Sequence, residues 1–224
     1  MVTRDAPVRP HPAASVMLVR DGTGGAEVLY LRRNRSLSFH GGSWVFPGGR
    51  IDPEDERGDG PEPAARRAAS REALEEAGLA VDPGSLRYLC HWTTPETSRK
   101  RFATWFFIAA AEGEVAVDGG EIHDHRWLTP AAALAAQRAG EMGLPAPAFV
   151  LSTRLAGHTS AADMIAAAAR WSPDRLLPKI YPVSGGRVAL YHQDAGFAGD
   201  DLEASGPRHR TWMIESGWRY ERDF

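Results

Sequence analysis

The chain has a single cysteine, Cys90, so it can form no internal disulfide and no thiolate zinc site. The apolar residues around Cys90 predict a buried, unreactive thiol. No run of about eighteen apolar residues occurs, and Met1 to Ala13 has neither a continuous apolar stretch nor a small-residue cleavage site. A cytoplasmic protein with no membrane partner is therefore expected. The 26 Lys and Arg residues are dispersed, and 29 Asp and Glu bring the net charge to −3. That leaves no basic stripe for nucleic acid, while a few placed arginines suffice for a small anionic ligand. Internal repeats and low-complexity tracts are absent, and the ending Arg222-Asp223-Phe224 is not the Ser-Lys-Leu of a peroxisomal address.

With 43% hydrophobic and 25% charged residues, the 224-residue chain suits one large globular domain or one domain with an extension. Residues 1 to 12, with three prolines, read as a flexible lead-in. Ala14 to Val19 and Glu27 to Arg32 form a hairpin across Asp21-Gly22-Thr23-Gly24-Gly25. Ser43 to Phe46 is a third strand, followed by a Pro47-Gly48-Gly49 loop expected to approach a ligand or a helix closely. Glu62 to Ala77 reads as a helix, with Pro63 in its first turn and Gly78 just beyond its last. Further strands are expected at Leu86 to Trp92, Phe102 to Ala110 and Arg126 to Leu128, with helices at Pro130 to Arg138, Pro147 to Ala156 and Ser160 to Arg170. Short strands and glycine-rich turns then run from Leu176 to Phe224. The mixed order indicates an α/β or α+β fold.

Glu72, Glu75 and Glu76 carry the clearest chemical signal. A helix advances about 100° per residue, so these three share a face. Like charges at those spacings repel by a few tenths of a kcal/mol per pair and call for a cation or basic neighbours, of which Arg71 is one. A solvated acidic face has the same spacing. Hard carboxylate oxygens suit Mg²⁺ or Mn²⁺, which bind protein and phosphate oxygens together.

The context of the triad, Phe46-Pro47-Gly48-Gly49 upstream and Arg71-Glu72-Ala73-Leu74-Glu75-Glu76-Ala77-Gly78-Leu79, resembles the Nudix box of Nudix hydrolases. That box reads glycine, five residues, glutamate, seven residues, then Arg-Glu-aliphatic-x-Glu-Glu-x-Gly-aliphatic. The resemblance implies an α/β/α sandwich over 13 to 139 around a mixed sheet, with helices and a β-element of 140 to 224 packed on it as a C-terminal extension. There are two departures. Residues 50 to 70 number 21 where the pattern has 13, which assigns eight extra residues to the loop Ile51 to Glu62, and Ala73 replaces a bulkier aliphatic. Counting back from Arg71 puts the first glutamate at Pro63, leaving Glu62, Asp52, Glu54, Asp55, Glu56 or Asp59 to take its place.

Leu31 to Asp52, the long insertion, Thr94-Pro95-Glu96 and Lys100 to Phe107 resemble the coenzyme A diphosphatase branch, in particular its peroxisomal members with an extended box. Resemblance runs from about Ala14 to Ala136, although Ser38 stands where that branch has arginine. It implies cleavage of coenzyme A or an acyl-coenzyme A at its diphosphate by water, giving adenosine 3′,5′-bisphosphate and a 4′-phosphopantetheine product. Glu72, Glu75 and Glu76 would hold Mg²⁺ or Mn²⁺, and Arg71 and Glu75 would join Glu72 in catalysis. Glu121, six residues before Trp127, sits where many Nudix proteins place a further acid and is assigned as base or additional ligand; an ordinary turn residue after Gly119-Gly120 fits equally. Arg33, Arg35, Gly48, Gly49, Arg99, Lys100 and Arg101 are assigned to substrate, since arginine forks match phosphate oxygens.

His123-Asp124-His125 reads as a surface loop, because consecutive side chains do not converge on one strand face. Trp44, Trp92 and Trp105 read as core before adenine platforms. Leu151 to Arg170 serves either as a helical cap or as the face of a homodimer, and Tyr181 to Phe224 as a terminal β-element. Two rival readings stand: a Nudix hydrolase of ADP-ribose, a dinucleotide cofactor or a nucleoside triphosphate, and a Nudix module that senses a nucleotide without cutting it.

Overall fold

A computed structural model describes residues 8–37 and 39–224, so the first seven residues of the expected lead-in and Ser38 lie outside the described residues. The chain divides into two compact units. The larger comprises Ala13–His91 and Thr104–Asp174, and the smaller takes in residues before Ala13, Trp92–Ala103 and Arg175–Phe224. Helices expected with the C-terminal extension thus fall in the larger unit.

The larger unit is built on strands β1 (His11–Gly22), β2 (Gly25–Arg33), β3 (Trp44–Val45) and β4 (Gly48–Arg50), followed by helix α1 (Pro61–Ala77). Then come β5 (Arg87–Thr93), β6 (Phe102–Ala110), β7 (Ile122–Leu128) and helices α2 (Pro130–Arg138), α3 (Ala146–Leu155) and α4 (Ala161–Ala169). Its eight-stranded mixed sheet has the order β3-β2-β1-β6-β5-β8, β8 being Asp174–Leu176, with β4 added to β1 and β7 to β2. The β1–β2 hairpin forms as expected, with Val19 opposite Val28 and Gly22 opposite Gly25. β1 starts earlier than expected: His11 and Pro12, assigned to the flexible lead-in, already belong to it.

Alternation along β2 sends its two side-chain sets into two layers. Leu29 and Leu31 join Val16, Leu18, Phe107 and Ile122 against the buried Ala65, Ala68, Ala69, Ala73 and Ala77 of α1. Tyr30 points the other way and shares a 2.7 Å hydrogen bond with Ser152 of α3. Helices therefore cover both faces, the α/β/α sandwich that was expected. Ala73, the departure from the box pattern, is fully buried here. An alanine face lets the helix backbone lie close to the sheet without a large side chain between them.

Two local expectations change. Pro47-Gly48-Gly49 is not a loop throughout: Gly48 and Gly49 pair with Ser15 and Ala14 as part of β4. A Cβ on Gly48 would lie 2.5 Å from the Ala14 carbonyl oxygen, so only glycine permits that pairing. His123-Asp124-His125 is likewise not a loop but the middle of β7, where Asp124 faces Arg32 and His125 faces Leu31. Cys90 is fully buried, and burial pushes its thiol up to about 12.

The smaller unit contains the antiparallel sheet β12-β11-β10-β9, built from β9 (Lys179–Val183), β10 (Gly186–Leu190), β11 (His209–Ile214) and β12 (Gly217–Arg222); β8 (Asp174–Leu176) leads into it. Asp194 receives the Arg210 fork at 2.7 and 2.6 Å, both side chains being almost fully buried. Among the described residues no helix is long and apolar enough to cross a membrane.

Candidate active site

The site begins with where α1 stops. Gly78 takes the left-handed conformation (φ 70°) that ends the helix, and its N–H returns to Leu74 at 2.9 Å. With the alanine face fixed against the sheet, Glu72 and Glu76 are carried towards β4. Glu76 is 6% exposed and accepts the Gly48 N–H at 2.8 Å. Glu72 lies directly against Gly49, in the space a Cβ there would fill. The sequence expectation that the glycine pair approaches a helix closely is met at this contact. Glu75 stands on the flank of this pair, its side chain 55% exposed.

Arg71 ties the acids together. Its Nη1 donates to Glu72 Oε1 at 2.9 Å and to Glu75 Oε2 at 3.0 Å. Its Nη2 donates to Asp55 Oδ2 at 2.9 Å and to the Arg50 carbonyl at 3.0 Å, with Asp52 at 3.4 Å. Asp55 is nearly fully buried and also accepts the Asp52 N–H at 3.0 Å. It is the acid that stands in for the first glutamate of the box. Counting forward from Gly49 across five residues reaches Asp55, a signal that the count back from Arg71 missed by landing on Pro63. The eight extra residues therefore fall between Asp55 and Arg71. Part of them is the turn holding Asp59, which Arg67 grips at 2.8 and 2.6 Å, and part lengthens α1 at its start. Glu62 is engaged by Arg66 one turn along the helix and takes no part in the cluster.

Burial dominates the electrostatics. It pushes the Glu76 carboxyl up to about 8, against the Gly48 N–H that favours its charged form, and the charges of Glu72 and Glu121 add to the rise while that of Arg33 opposes it. Burial also raises Glu72, with Arg71 pulling the other way. Among the described residues no three of His, Cys, Asp and Glu already stand grouped as a closed cation cage. Yet Glu72 and Glu76 are desolvated carboxylates that repel one another and present only hard oxygens. A divalent cation such as Mg²⁺ or Mn²⁺ fits that donor set and would offset that repulsion.

Arg33 and Glu121 reach the same region from the sheet. Arg33 ends β2 on the side facing α1, and its Nη2 donates to Glu121 Oε2 at 3.1 Å. Glu121 immediately precedes β7 and is 60% exposed in its side chain. Arg35 is exposed, its stem against Gly42. Arg99, Lys100 and Arg101 belong to the smaller unit. Arg101 is 5% exposed and spends its guanidinium on the carbonyls of Val8 at 2.7 Å and Thr94 at 3.1 Å, so its assignment to substrate is corrected to a structural one. Trp44 and Trp92 are core, as expected, and Trp105 is half-buried beside Tyr88 at 5.0 Å.

The sequence profile of the NUDIX domain matches residues 9–147. The chain belongs to the NUDIX family. Among curated proteins it is 29% identical over 181 residues to the Putative nudix hydrolase 7 of Caenorhabditis elegans, a match over 64% of this chain and 59% of that one. It is 41% identical over 64 residues to the Peroxisomal coenzyme A diphosphatase ndx-8 of the same organism, over 29% of this chain and 25% of that one. The chain thus spans less than two thirds of the length of either relative. Its fold is similar to that of the NUDIX hydrolase from Alicyclobacillus acidocaldarius, with a TM-score of 0.64 at 24% identity over 71% of this chain and 96% of that one. In this NUDIX chain the profile ends at residue 147, within α3.

Proposed function

We propose that this protein hydrolyses the diphosphate linkage of a nucleoside diphosphate-linked compound with the help of a divalent cation, and that coenzyme A or an acyl-coenzyme A is its substrate. The observation that carries the reading is the pair of half-buried Glu72 and buried Glu76, pressed against Gly49 and Gly48 with more negative charge than Arg71 and Arg33 relieve. Mg²⁺ or Mn²⁺ held by Glu72, Glu76 and Glu75 would neutralise phosphate charge and lower the pKa of the attacking water.

The chain's own residues do the rest. Asp55 orients Arg71, and Arg71 orients Glu72 and Glu75, so the carboxylates meet the substrate with little left to arrange. Arg33 and the exposed Arg35 fork onto phosphate oxygens. Glu121 is the proton acceptor for water, its carboxylate being exposed beside Arg33. Water adds to one phosphorus, the bridging P–O bond breaks, and the leaving phosphate carries the electron pair. For coenzyme A the products are adenosine 3′,5′-bisphosphate and 4′-phosphopantetheine. The finer substrate assignment draws support from the 41% identity to a coenzyme A diphosphatase and from the Leu31 to Asp52 stretch.

Mass spectrometry of products after incubation with Mg²⁺ or Mn²⁺ and a mixture of coenzyme A, acetyl-coenzyme A, ADP-ribose, NADH and a nucleoside triphosphate tests both levels. Adenosine 3′,5′-bisphosphate, lost in Glu72→Gln, is the expected result. Cleavage of another member alone would overturn the coenzyme A assignment and keep the chemistry; no cleavage of any member would overturn the hydrolase reading in favour of a nucleotide-binding module.

A further inference from the structure

The turn carrying Glu121 is held on both sides. Asp118 accepts the Glu121 N–H on Oδ2 at 3.0 Å and the Ile122 N–H on Oδ1 at 2.9 Å, while the Gly119 N–H returns to the Ile122 carbonyl at 3.1 Å. From the end of β2, Asn34 donates its backbone N–H to the Glu121 carbonyl at 2.7 Å and its side-chain amide to the Gly120 carbonyl at 3.1 Å. Asn34 Oδ1 is itself anchored, accepting the N–H and the hydroxyl of Ser36 at 3.0 and 2.9 Å. Both sides of the Glu121 backbone are therefore fixed, and Asn34 directly follows Arg33, whose guanidinium meets the Glu121 carboxylate. An exposed glutamate on a free turn would sample many positions. A misplacement of about 1 Å is enough to cost on the order of 100-fold in rate.

The geometry points to Asp118 and Asn34 as positioning residues for the reaction: together they set the Glu121 backbone so that its carboxylate and the Arg33 guanidinium face substrate as one unit. This rests on the proposed role of Glu121 as proton acceptor. Neither residue touches the carboxylate, so each acts through the turn.

Steady-state kinetics on coenzyme A with Mg²⁺ test it. Asp118→Ala and Asn34→Ala should each lower kcat about 10-fold with KM changed less than about 2-fold, and Glu121→Gln should lower kcat about 100-fold. Because Asp118 acts through Glu121, adding Asp118→Ala to Glu121→Gln should cost nothing further. Asp118→Asn, which keeps one acceptor oxygen, should recover part of the loss. Wild-type kcat in folded Asp118→Ala and Asn34→Ala, or an undiminished further loss in the double variant, would overturn the inference. Wild-type kcat in Glu121→Gln would remove the role of Glu121 and this inference with it, yet leave the carboxylate helix standing, which fails only if Glu72→Gln keeps turnover. Amide hydrogen exchange needs no substrate: the Glu121 and Ile122 amides should be protected and lose about 10-fold of that protection in Asp118→Ala. Unprotected amides in the wild type would overturn the inference whatever the enzyme cleaves.

Discussion

Replacing Glu76 with Gln should make the metal-free protein more stable while abolishing its turnover. The carboxyl is raised from 4.5 to about 8 by burial, so folding with an ionised Glu76 is penalised. Below about 4.5 the group is protonated in both the folded and the unfolded chain, and there is no penalty. As pH rises above that value the unfolded chain ionises first, and the cost grows until the folded protein ionises too, near 8. At pH 7 the two-and-a-half-unit gap is worth about 3 kcal/mol. Gln keeps an oxygen for the Gly48 N–H but adds a buried amide NH₂ without a partner, which costs about 1 kcal/mol. The net gain is about 2 kcal/mol, or about 5 °C in melting temperature for a chain of this size. Thermal melts of wild type and variant in chelator from pH 4 to 9 read it directly. The variant should melt slightly below wild type near pH 4, where only the unpartnered amide counts, then cross it and rise above it through pH 8, and Mg²⁺ or Mn²⁺ should then raise the wild type alone and close the gap. Melts that coincide at every pH in chelator would refute the account of Glu76 as a desolvated, strained carboxylate.

Arg101→Ala should destabilise the protein by about 1 to 3 kcal/mol in urea denaturation, since buried carbonyls lose a charged donor, and leave KM unchanged. Asp194 is held below its ordinary value of 3.8, because the Arg210 fork and the N–H groups of His209 and Gly196 outweigh its burial. Its contribution is therefore complete above the unfolded value and lost as pH falls through the folded one. Melting temperatures of wild type and Asp194→Asn should differ by a constant amount above about pH 5 and converge below about pH 4. Cys90, buried with its thiol pushed up to about 12, should resist thiol reagents at pH 8 in the native protein and react fully in denaturant, as mass shifts on alkylation will record.

The elements that the sequence announces well are those whose local signals agree with their burial. Phe102–Ala110 and Pro130–Arg138 match residue for residue, and α1 differs from expectation by one residue at its start. Gly48-Gly49 misled because glycine usually weakens a strand, whereas here its bareness is what lets β4 lie on β1. In the site, the spacing of Glu72, Glu75 and Glu76 was legible, but their inequality was not. Which carboxylate is desolvated depends on β4, a segment joined to α1 only in the folded chain. Arg101 was opaque for the same reason, since nothing local tells a phosphate-binding arginine from one that satisfies the carbonyls of Val8 and Thr94.

The Asp55–Arg71 ion pair closes the box across whatever lies between its two halves. Fifteen residues stand there, positions 56 to 70, where the usual pattern has seven. Loop closure grows only with the logarithm of length, so the longer segment costs about 0.7 kcal/mol, which one charged hydrogen bond offsets. The box behaves less as a rigid string of fixed spacing than as two half-motifs joined by a clasp. Chains with still longer inserts at this point could keep a working carboxylate helix, and a search that counts from only one end of the motif would pass them by.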